Sequence, residues 1–202
     1  MRKIRIAVFV SGGGTNLQAL LDAQQAGKLS SGEIALVVAS RGDAYALTRA
    51  AEGGIPSEVV RRKDFADQAA YEDALTSLMR ENKIDLIVLA GFMSILSKTF
   101  TDRFPQRMIN IHPSLIPSFC GKGFYGIHVH EAALRYGVKV SGATVHFVNE
   151  IPDGGQIIRQ KAVPVLPGDT PERLQKRVME EAEWIILPEA TEEIAARLLA
   201  EA

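Results

Sequence analysis

The sequence has little of several features that mark particular classes of protein. One cysteine, Cys120, among 202 residues excludes an internal disulfide, which is typical of a protein kept in a reducing cytoplasm. Basic residues (23) and acidic residues (24) nearly cancel to a net charge of −1, and no run of like charge stands out. We therefore expect no nucleic acid and no membrane surface among the partners, and a small molecule as the ligand.

Long hydrophobic runs are lacking as well. Only five apolar residues, 6–10, follow the basic residues at the amino terminus, whereas a signal peptide needs ~7–15. No segment approaches the ~18 apolar residues of a membrane-spanning helix. With 47% hydrophobic residues, the chain is long enough to bury a sizeable core, and we expect a single domain over residues 1–202.

Short apolar runs alternate along the chain with longer amphipathic stretches. Strands are predicted at residues 4–10, 34–40, 57–60, 85–90 and 108–111, and helices at residues 16–25, 43–52, 67–81 and 97–103. Several runs are apolar throughout, which is typical of parallel strands covered on both faces. Strands that alternate with helices predict βαβ units and a doubly wound, mostly parallel α/β sheet of Rossmann-like type.

The pattern changes in the last third of the chain. Residues 143–148 and 156–165 are apolar or alternating runs joined by a short turn region, which predicts an antiparallel hairpin. Thr170 as N-cap and Pro171 at the first helical position then predict the start of a C-terminal helix. We expect Pro188 to break or kink that helix, because proline lacks the amide hydrogen that the helix needs.

Two polar side chains, Asn110 and His112, stand two residues apart at the end of the fifth predicted strand. Their spacing places them on the same side of the strand, and Pro113 should end it. Asp153 offers a carboxylate in the turn of the predicted hairpin. An amide, an imidazole and a carboxylate together predict a proton-transfer site with its own oxyanion donor. On these residues alone, a capping asparagine, a loop histidine and a turn aspartate are an equal alternative.

A glycine-rich turn, SGGGTN at residues 11–16, connects the first predicted strand to the first helix. Backbone amides at a helix N-terminus suit a phosphate group, and glycine lets them turn toward it. Leu17 stands at the third glycine position of a dinucleotide fingerprint, and the second strand ends in Ser40 and Arg41 without an acidic residue. The turn therefore favours a phosphomonoester over NAD, with a purely structural turn as the alternative.

The remaining reactive side chains carry weaker signals. Cys120 has no evident activating partner, so a nucleophilic role is not expected. His128 and His130 could share a strand face as metal ligands, but no third ligand accompanies them, and the start of a helix is the favoured interpretation. We expect no metal. His146 is equally consistent with a residue that points toward the site and with a hydrogen-bonded sheet histidine.

Six segments, in order along essentially the whole chain, resemble those of the phosphoribosylglycinamide formyltransferases of purine synthesis. The segments are SGGGTN at 11–16, LAGFM at 89–93, NIHPSL at 110–115, GKGFYG at 121–126, VHF at 145–147 and DGG at 153–155. The resemblance implies the formyltransferase type of the sheet and transfer of a formyl group from 10-formyltetrahydrofolate to the amine of glycinamide ribonucleotide. It also implies folate and that ribonucleotide as the binding partners, with a monomer or a homodimer as the assembly.

The resemblance also implies roles for individual residues. Asn110, His112 and Asp153 match catalytic positions, and a neighbouring carboxylate should raise the pKa of His112 so that the ring donates a proton. Glu183 matches a substrate-binding glutamate if one residue is inserted within 179–182. The other implied substrate-binding residues are Gly14, Thr15 and Asn16, and the implied folate-binding residues are Met93, Ser94, Ile95, Leu96, Asn110 and the segment 149–153.

Three residues depart from the family pattern. Ser94 and Gln68 stand where relatives often carry arginine, which puts the contacts to the folate tail in doubt, and Trp184 replaces a common histidine. We expect residues 1–105 to form the phosphate-binding half and residues 106–202 the folate-binding and catalytic half. A formyltetrahydrofolate hydrolase, expected to carry an N-terminal domain, and a methionyl-tRNA formyltransferase, expected to carry a basic C-terminal extension, are related alternatives. A non-catalytic nucleotide-binding module is the alternative from another class.

Overall fold

A seven-stranded sheet organises the computed structural model, which describes residues 2–201. The strands are β1 (Ile4–Val10), β2 (Gly32–Ala39), β3 (Ser57–Val59), β4 (Leu86–Leu89), β5 (Met108–His112), β6 (Val140–Phe147) and β7 (Ile157–Pro164). The α-helices are α1 (Thr15–Gln25), α2 (Ala46–Glu52), α3 (Gln68–Glu81), α4 (Lys98–Thr101), α5 (Ile127–Tyr136), α6 (Pro171–Val178) and α7 (Trp184–Ala200). A 3₁₀ turn at Arg62–Asp64 was not predicted from the sequence.

The order of strands in the sheet is β3-β2-β1-β4-β5-β6-β7. Strands β1 to β5 run parallel, whereas β6 pairs antiparallel with both β5 and β7. The predicted doubly wound sheet and C-terminal hairpin are thus confirmed. The chain leaves β1 on one side toward β2 and on the other toward β4, so the carboxyl ends of β1 and β4 mark the switch point where such sheets bind ligands.

Helices cover both faces of the sheet, as the apolar strands predicted. In β1, Ile6 and Val8 face a core shared with α1, α6 and α7, while Ala7 and Phe9 face a core shared with α3 and α4. Because both faces of β1 are buried, its side chains need not alternate between apolar and polar. Within residues 2–201, no helix has both the length and the apolar character needed to cross a bilayer.

The predicted break at Pro188 is wrong. Pro188 lies inside α7, where the helix continues to residue 200 and buries apolar side chains against the sheet. The irregularity lies one turn earlier, at the π-helical turn Met179–Glu183 between α6 and α7. Proline at position 188 removes a hydrogen bond to the carbonyl of Trp184, a cost of about 3 kcal/mol that the burial of several side chains offsets.

Candidate active site

The end of β5 brings two functional side chains to the carboxyl edge of the sheet. β5 stops at His112, directly before Pro113, as predicted. Asn110 pairs with His146 of the antiparallel strand β6, so the two side chains share one face of the sheet. The turn that follows β6 carries Asp153, whose φ of 57° lies in the left-handed region that aspartate tolerates better than most residues. The hairpin thus returns a carboxylate to the strand end.

Asp153 connects the polar groups of this site. Its Oδ2 lies 3.4 Å from His112 Nδ1 and accepts a 2.8 Å hydrogen bond from the amide of Gly121. Its Oδ1 lies 3.5 Å from Asn110 Nδ2 and 3.6 Å from His146 Nε2. The side chain of Asp153 is 14% exposed. The structure therefore brings together the three residues that the sequence nominated, with His146 as a fourth member.

His146 fixes the orientation of Asn110. Its Nδ1 lies 2.8 Å from the carbonyl of Phe147, and its Nε2 lies 3.1 Å from Asn110 Nδ2 and 3.6 Å from Asp153 Oδ1. The amide nitrogen of Asn110 is thereby turned toward the ring, and it also makes a long hydrogen bond of 3.5 Å to Asp153 Oδ1. Both interpretations of His146 made from the sequence are met, because it is a hydrogen-bonded sheet residue that also points to the site.

The charge state of His112 differs from the expectation. Burial lowers its pKa below the ordinary value, and Asp153 and the Phe119 carbonyl oppose that effect without reversing it. The expected net rise is wrong, because a side chain only 5% exposed loses more solvation than one carboxylate returns. The ring nitrogens nevertheless both face oxygens, since Nε2 lies 2.9 Å from the Phe119 carbonyl. Only the protonated ring donates to both oxygens.

Asp153 itself stays ionised at neutral pH. Burial would raise the pKa of its carboxyl group, but the rings of His146 and His112 and the amide of Gly121 outweigh burial, and the pKa lies below the ordinary value. An ionised carboxylate beside His112 favours a protonated imidazole once a ligand adds further negative charge. The arrangement can therefore supply a proton at a group that becomes anionic during a reaction.

A small cavity of about 120 Å³ opens beside Asn110 and Asp153. Its other walls are the loop after β4 and the segment before Asp153, and they are mostly apolar. The lining includes Phe92, Ser94, Ile95, Leu96, Val148, Asn149, Glu150, Ile151 and Pro152. Of the residues expected to contact folate, Met93 is not in this lining; its amide instead donates to Ser11 Oγ at 2.9 Å. That bond ties the loop after β4 to the glycine-rich turn.

The glycine-rich turn leaves the start of α1 without a side-chain cap. Gly14 is the N-cap of α1 with φ of 72°, and no side chain caps the helix, so its first amides remain free of intrachain side-chain partners. A Cβ at Gly14 would lie 2.6 Å from the Cβ of Ala46, which leaves no room for another residue. Arg49 of α2 donates to the Gly13 carbonyl at 2.9 Å and brings a positive charge to the turn.

Glu183 lies in the π-helical turn and contacts the same glycine-rich region. Its Oε2 accepts a 2.6 Å hydrogen bond from Asn16 Nδ2, and the residue is 6% exposed. Burial raises the pKa of Glu183 to about 7, with Asn16 opposing. A π turn holds one residue more than an α turn, so it accommodates the single insertion that the sequence comparison required before Glu183.

A larger groove, of about 890 Å³, runs between α1 and α7, and its lining does not include Asn110, His112 or Asp153. Thr15, Arg49 and Trp184 line one part of it. It therefore borders the glycine-rich turn. Size alone does not mark it as the reaction site, because none of Asn110, His112 and Asp153 lines it.

The chain was compared with known proteins. The formyl transferase family model matches residues 4–191. The chain is 42% identical over 184 residues to a phosphoribosylglycinamide formyltransferase of Haemophilus influenzae, covering 91% of this chain and 84% of that protein. The crystal structure of glycinamide ribonucleotide transformylase 1 from Symbiobacterium toebii superposes with a TM-score of 0.90 at 42% identity, over 96% of this chain and 89% of that one.

The chain belongs to the formyl transferase family. It is also 43% identical over 195 residues to the human trifunctional purine biosynthetic protein adenosine-3, covering 96% of this chain but 19% of that protein. The trifunctional relative is therefore matched over one part only, whereas the Haemophilus relative is matched over most of its length.

The strand-end residues Asn110 and His112 gave a signal in the sequence, but two other residues of this site gave no clear signal. Arg49 lies in another helix than the turn it supports, and only the fold brings them together. Ser11 lies within the recognised glycine-rich segment, yet its bonds to Met93 and to Ser40 Oγ at 2.6 Å join three loops at the sheet edge. Contacts between distant loops are not visible in local patterns.

The other candidates have structural roles. His128 and His130 both lie in α5, as the helix interpretation predicted; His128 is exposed and pairs with Glu131 at 3.0 Å. His130 is fully buried, and burial lowers its pKa to about 4, so it stays neutral. Burial raises the pKa of Cys120, which disfavours the thiolate. No cluster of three or more metal-ligating side chains occurs within residues 2–201.

Proposed function

We propose that this chain transfers a formyl group from 10-formyltetrahydrofolate to the amine of glycinamide ribonucleotide, as a phosphoribosylglycinamide formyltransferase. The observation that carries the proposal is the contact of Asn110, His112 and Asp153 at the carboxyl edge of the sheet, beside an apolar cavity. The matched relatives bear this enzyme's name. The products are the N-formylated ribonucleotide and tetrahydrofolate.

Asn110, His112 and Asp153 have different roles in the proposed reaction. The substrate amine forms a bond to the formyl carbon, whose oxygen becomes an oxyanion. The N–H of Asn110 that makes the long bond to Asp153 donates instead to that oxygen, and His112 donates a second hydrogen bond once the oxygen displaces the Phe119 carbonyl from Nε2. When the bond from carbon to N10 of the folate breaks, the proton lost by the amine is returned to N10.

Asp153 supports this proton movement without contacting the reacting carbon. Its ionised carboxylate stabilises the imidazolium form of His112 and fixes the ring through Nδ1. The oxyanion adds a second negative charge beside the ring, which offsets the lowering of the pKa by burial. His112 therefore accepts the proton that the amine loses as the intermediate forms, and it gives that proton to N10 when the bond from carbon to N10 breaks.

Substrate binding is assigned to the glycine-rich turn and the π turn. Amides at Gly14, Thr15 and Asn16 suit the phosphate group, because the start of α1 has no side-chain cap. Glu183, which bonds to Asn16, is suited to hold the amine end of the substrate. The apolar walls at Ser94 to Leu96 and at 149–153 suit the flat ring of the folate.

A first experiment tests the reaction. Purified protein is mixed with 10-formyltetrahydrofolate, with and without glycinamide ribonucleotide, and the absorbance of the folate is followed. Turnover that requires the ribonucleotide supports the proposal. Folate breakdown without the ribonucleotide would indicate a hydrolase, and no reaction under either condition would favour a non-catalytic binding module.

We also propose a cytoplasmic location, an assembly that is a monomer or a homodimer, and no nucleic-acid or membrane partner. The single cysteine and the balanced charge support these proposals. The division into a phosphate-binding half, 1–105, and a folate-binding and catalytic half, 106–202, also stays a proposal. Light scattering of the purified protein distinguishes the two assemblies.

A further inference from the structure

The hydroxyl of Ser11 joins the two ligand-binding regions and takes no part in the chemistry described so far. Its Oγ accepts a 2.9 Å hydrogen bond from the amide of Met93 and lies 2.6 Å from the Oγ of Ser40. We propose that Ser11 is a positioning residue that couples the binding of the two substrates, so that each ligand strengthens the binding of the other. The inference rests on the proposed function for the identity of the ligands.

Ser11 and Met93 each lie shortly before residues that are assigned to a ligand. Ser11 opens the glycine-rich turn, three residues before Gly14, and Met93 directly precedes the cavity wall at Ser94 to Leu96. The hydrogen bond between Ser11 and Met93 joins the carboxyl end of β1 to the loop after β4. A displacement of one loop therefore strains or breaks a bond to the other.

Apolar contacts hold the two ends of the loop after β4, residues 91–96. The rings of Phe92 and Phe9 meet edge to face with their centroids 5.1 Å apart, and Leu96 is 7% exposed. Between these ends, Met93 is 53% exposed and Ile95 is 71% exposed. Their side chains therefore do not anchor the middle of the loop in the core.

Hydrogen bonds to side chains outside the loop hold its middle. In the part of the chain that the structure describes, the backbone of residues 91–96 makes two such bonds: the Met93 amide donates to Ser11, and the Ile95 carbonyl accepts from Gln68 at 3.2 Å. The first of these bonds leads to the glycine-rich turn, whereas the second leads to α3. Ser11 is 5% exposed, so water competes little for its hydroxyl.

The glycine-rich turn is loosely packed directly after Ser11. A Cβ at Gly12 or Gly13 would meet nothing within 4 Å, and glycine has more conformational freedom than any other residue. A phosphate held by the amides that follow would restrict this freedom. Both loops that Ser11 joins therefore become more ordered when their ligand binds.

A shared restraint makes binding cooperative. A ligand that orders its own loop also holds one end of the bond between Ser11 and Met93, so the second ligand meets a loop that is already partly ordered. By thermodynamic linkage, each ligand must strengthen the binding of the other by the same factor. One hydrogen bond accounts for a factor of about three to ten.

Calorimetric titration measures this coupling as the ratio of two dissociation constants. The Kd of glycinamide ribonucleotide is determined without and with saturating tetrahydrofolate, which lacks the formyl group and so allows no transfer. We expect tetrahydrofolate to tighten ribonucleotide binding about three- to tenfold in the wild-type protein, and the reverse titration to give the same factor. In Ser11→Ala, the two Kd values should agree within about twofold.

Matched variants separate the coupling from a general loss of stability. A smaller folded fraction affects both titrations equally and leaves the ratio unchanged. Ser141→Ala removes a hydroxyl from a residue that is 4% exposed, and that hydroxyl makes no hydrogen bond within residues 2–201, so the variant should keep the wild-type ratio. Ser11→Cys keeps a side chain of similar size whose sulfur is a weak acceptor, so it should lose the coupling even if Ser11→Ala folds poorly.

Equal Kd values in the wild-type protein, or a wild-type ratio in both Ser11 variants, would overturn the proposal. The formyl-transfer assay on the same preparations keeps the two proposals apart. A protein that transfers the formyl group without coupled binding contradicts the role of Ser11 and leaves the proposed function in place. Coupled binding without transfer supports the role of Ser11 and contradicts the function, and failure to bind either ligand contradicts both.

Discussion

Burial sets the charge states of single residues in this site. His112, His130 and Glu183 are all withdrawn from water, and burial shifts each pKa toward the neutral form. Asp153 is the exception, because several neighbouring groups compensate its burial. The site therefore combines the ionised carboxylate of Asp153 with neutral side chains. These side chains become charged only when a bound ligand brings a charge of the opposite sign.

Glu183 should make stability depend on pH. Its pKa of about 7 in the folded protein exceeds the ordinary 4.5, so its stabilising contribution is complete below pH 4.5 and is lost as pH rises through 7. Glu183→Gln keeps the hydrogen-bonding shape without the ionisation. We expect the variant to gain about 2–3 kcal/mol relative to wild type between pH 4.5 and pH 8, from 1.36 kcal/mol per pKa unit.

Urea unfolding at pH 4.5 and pH 8 measures this difference. Glu181→Gln, in the same turn but exposed, serves as the control for a general change in charge. A gain for Glu183→Gln of the same size at both pH values would contradict the buried, ionising glutamate.

At the scale of elements, the glycine-rich turn and the π turn place the groups that we propose bind the substrate. Each depends on a local departure from regular backbone: the left-handed Gly14 in one case and the extra residue of Met179–Glu183 in the other. Departures of this kind are retained where the surrounding packing holds them, and they occur often at functional sites.

Gly14→Ala should destabilise the turn. The new Cβ would meet Ala46 at 2.6 Å in a left-handed conformation, and we expect a loss of about 2–4 kcal/mol together with a higher KM for the ribonucleotide. Gly13→Ala, in the same turn, meets nothing within 4 Å and has no positive φ, so its stability should stay near wild type. Equal stability of the two variants, measured by urea unfolding, would contradict the packing argument.

Deleting Glu181 should be tolerated. The deletion removes one exposed residue from the π turn and converts it to an α turn, which leaves α7 on its side of the sheet. We expect cooperative thermal unfolding within about 4 °C of wild type, a shift of about 1 kcal/mol. Deleting the exposed Ser77 within α3 rotates the following Met79 by about 100° out of the core and should abolish folding. Equal loss of structure in both deletions would contradict the account of the π turn.

At the scale of the whole molecule, the sheet was the most predictable feature. The apolar runs of β1, β2 and β4 correctly predicted strands that are buried on both faces, and Pro113 correctly predicted the end of β5. Predicted strand and helix ends differ from the observed ones by a few residues, with α4 shorter and β6 longer than expected. Local patterns define the type of an element better than its ends, because the ends depend on packing.

The remaining features depended on contacts between distant segments. Pro188 did not break α7, since burial of the helix outweighs the lost hydrogen bond. The pKa of His112 fell despite Asp153, because burial is set by the whole fold. Arg49 reaches its partner from another element than the one that carries the motif. Sequence patterns identify residues whose chemistry suits the site. The charge states of those residues and the contacts that hold them in place follow from the folded structure.

The central claim is that the trio at the carboxyl edge of β5 carries out formyl transfer. The most direct test is the kcat of Asp153→Asn with both substrates saturating, beside Asp102→Asn, which alters an exposed carboxylate elsewhere. Asparagine also tolerates the left-handed backbone at position 153, so the fold should be kept. We predict that kcat falls ~10²–10⁴-fold, the range for loss of general acid–base catalysis, while both KM values stay within about threefold of wild type. A folded Asp153→Asn variant with the turnover of wild type would contradict the claim.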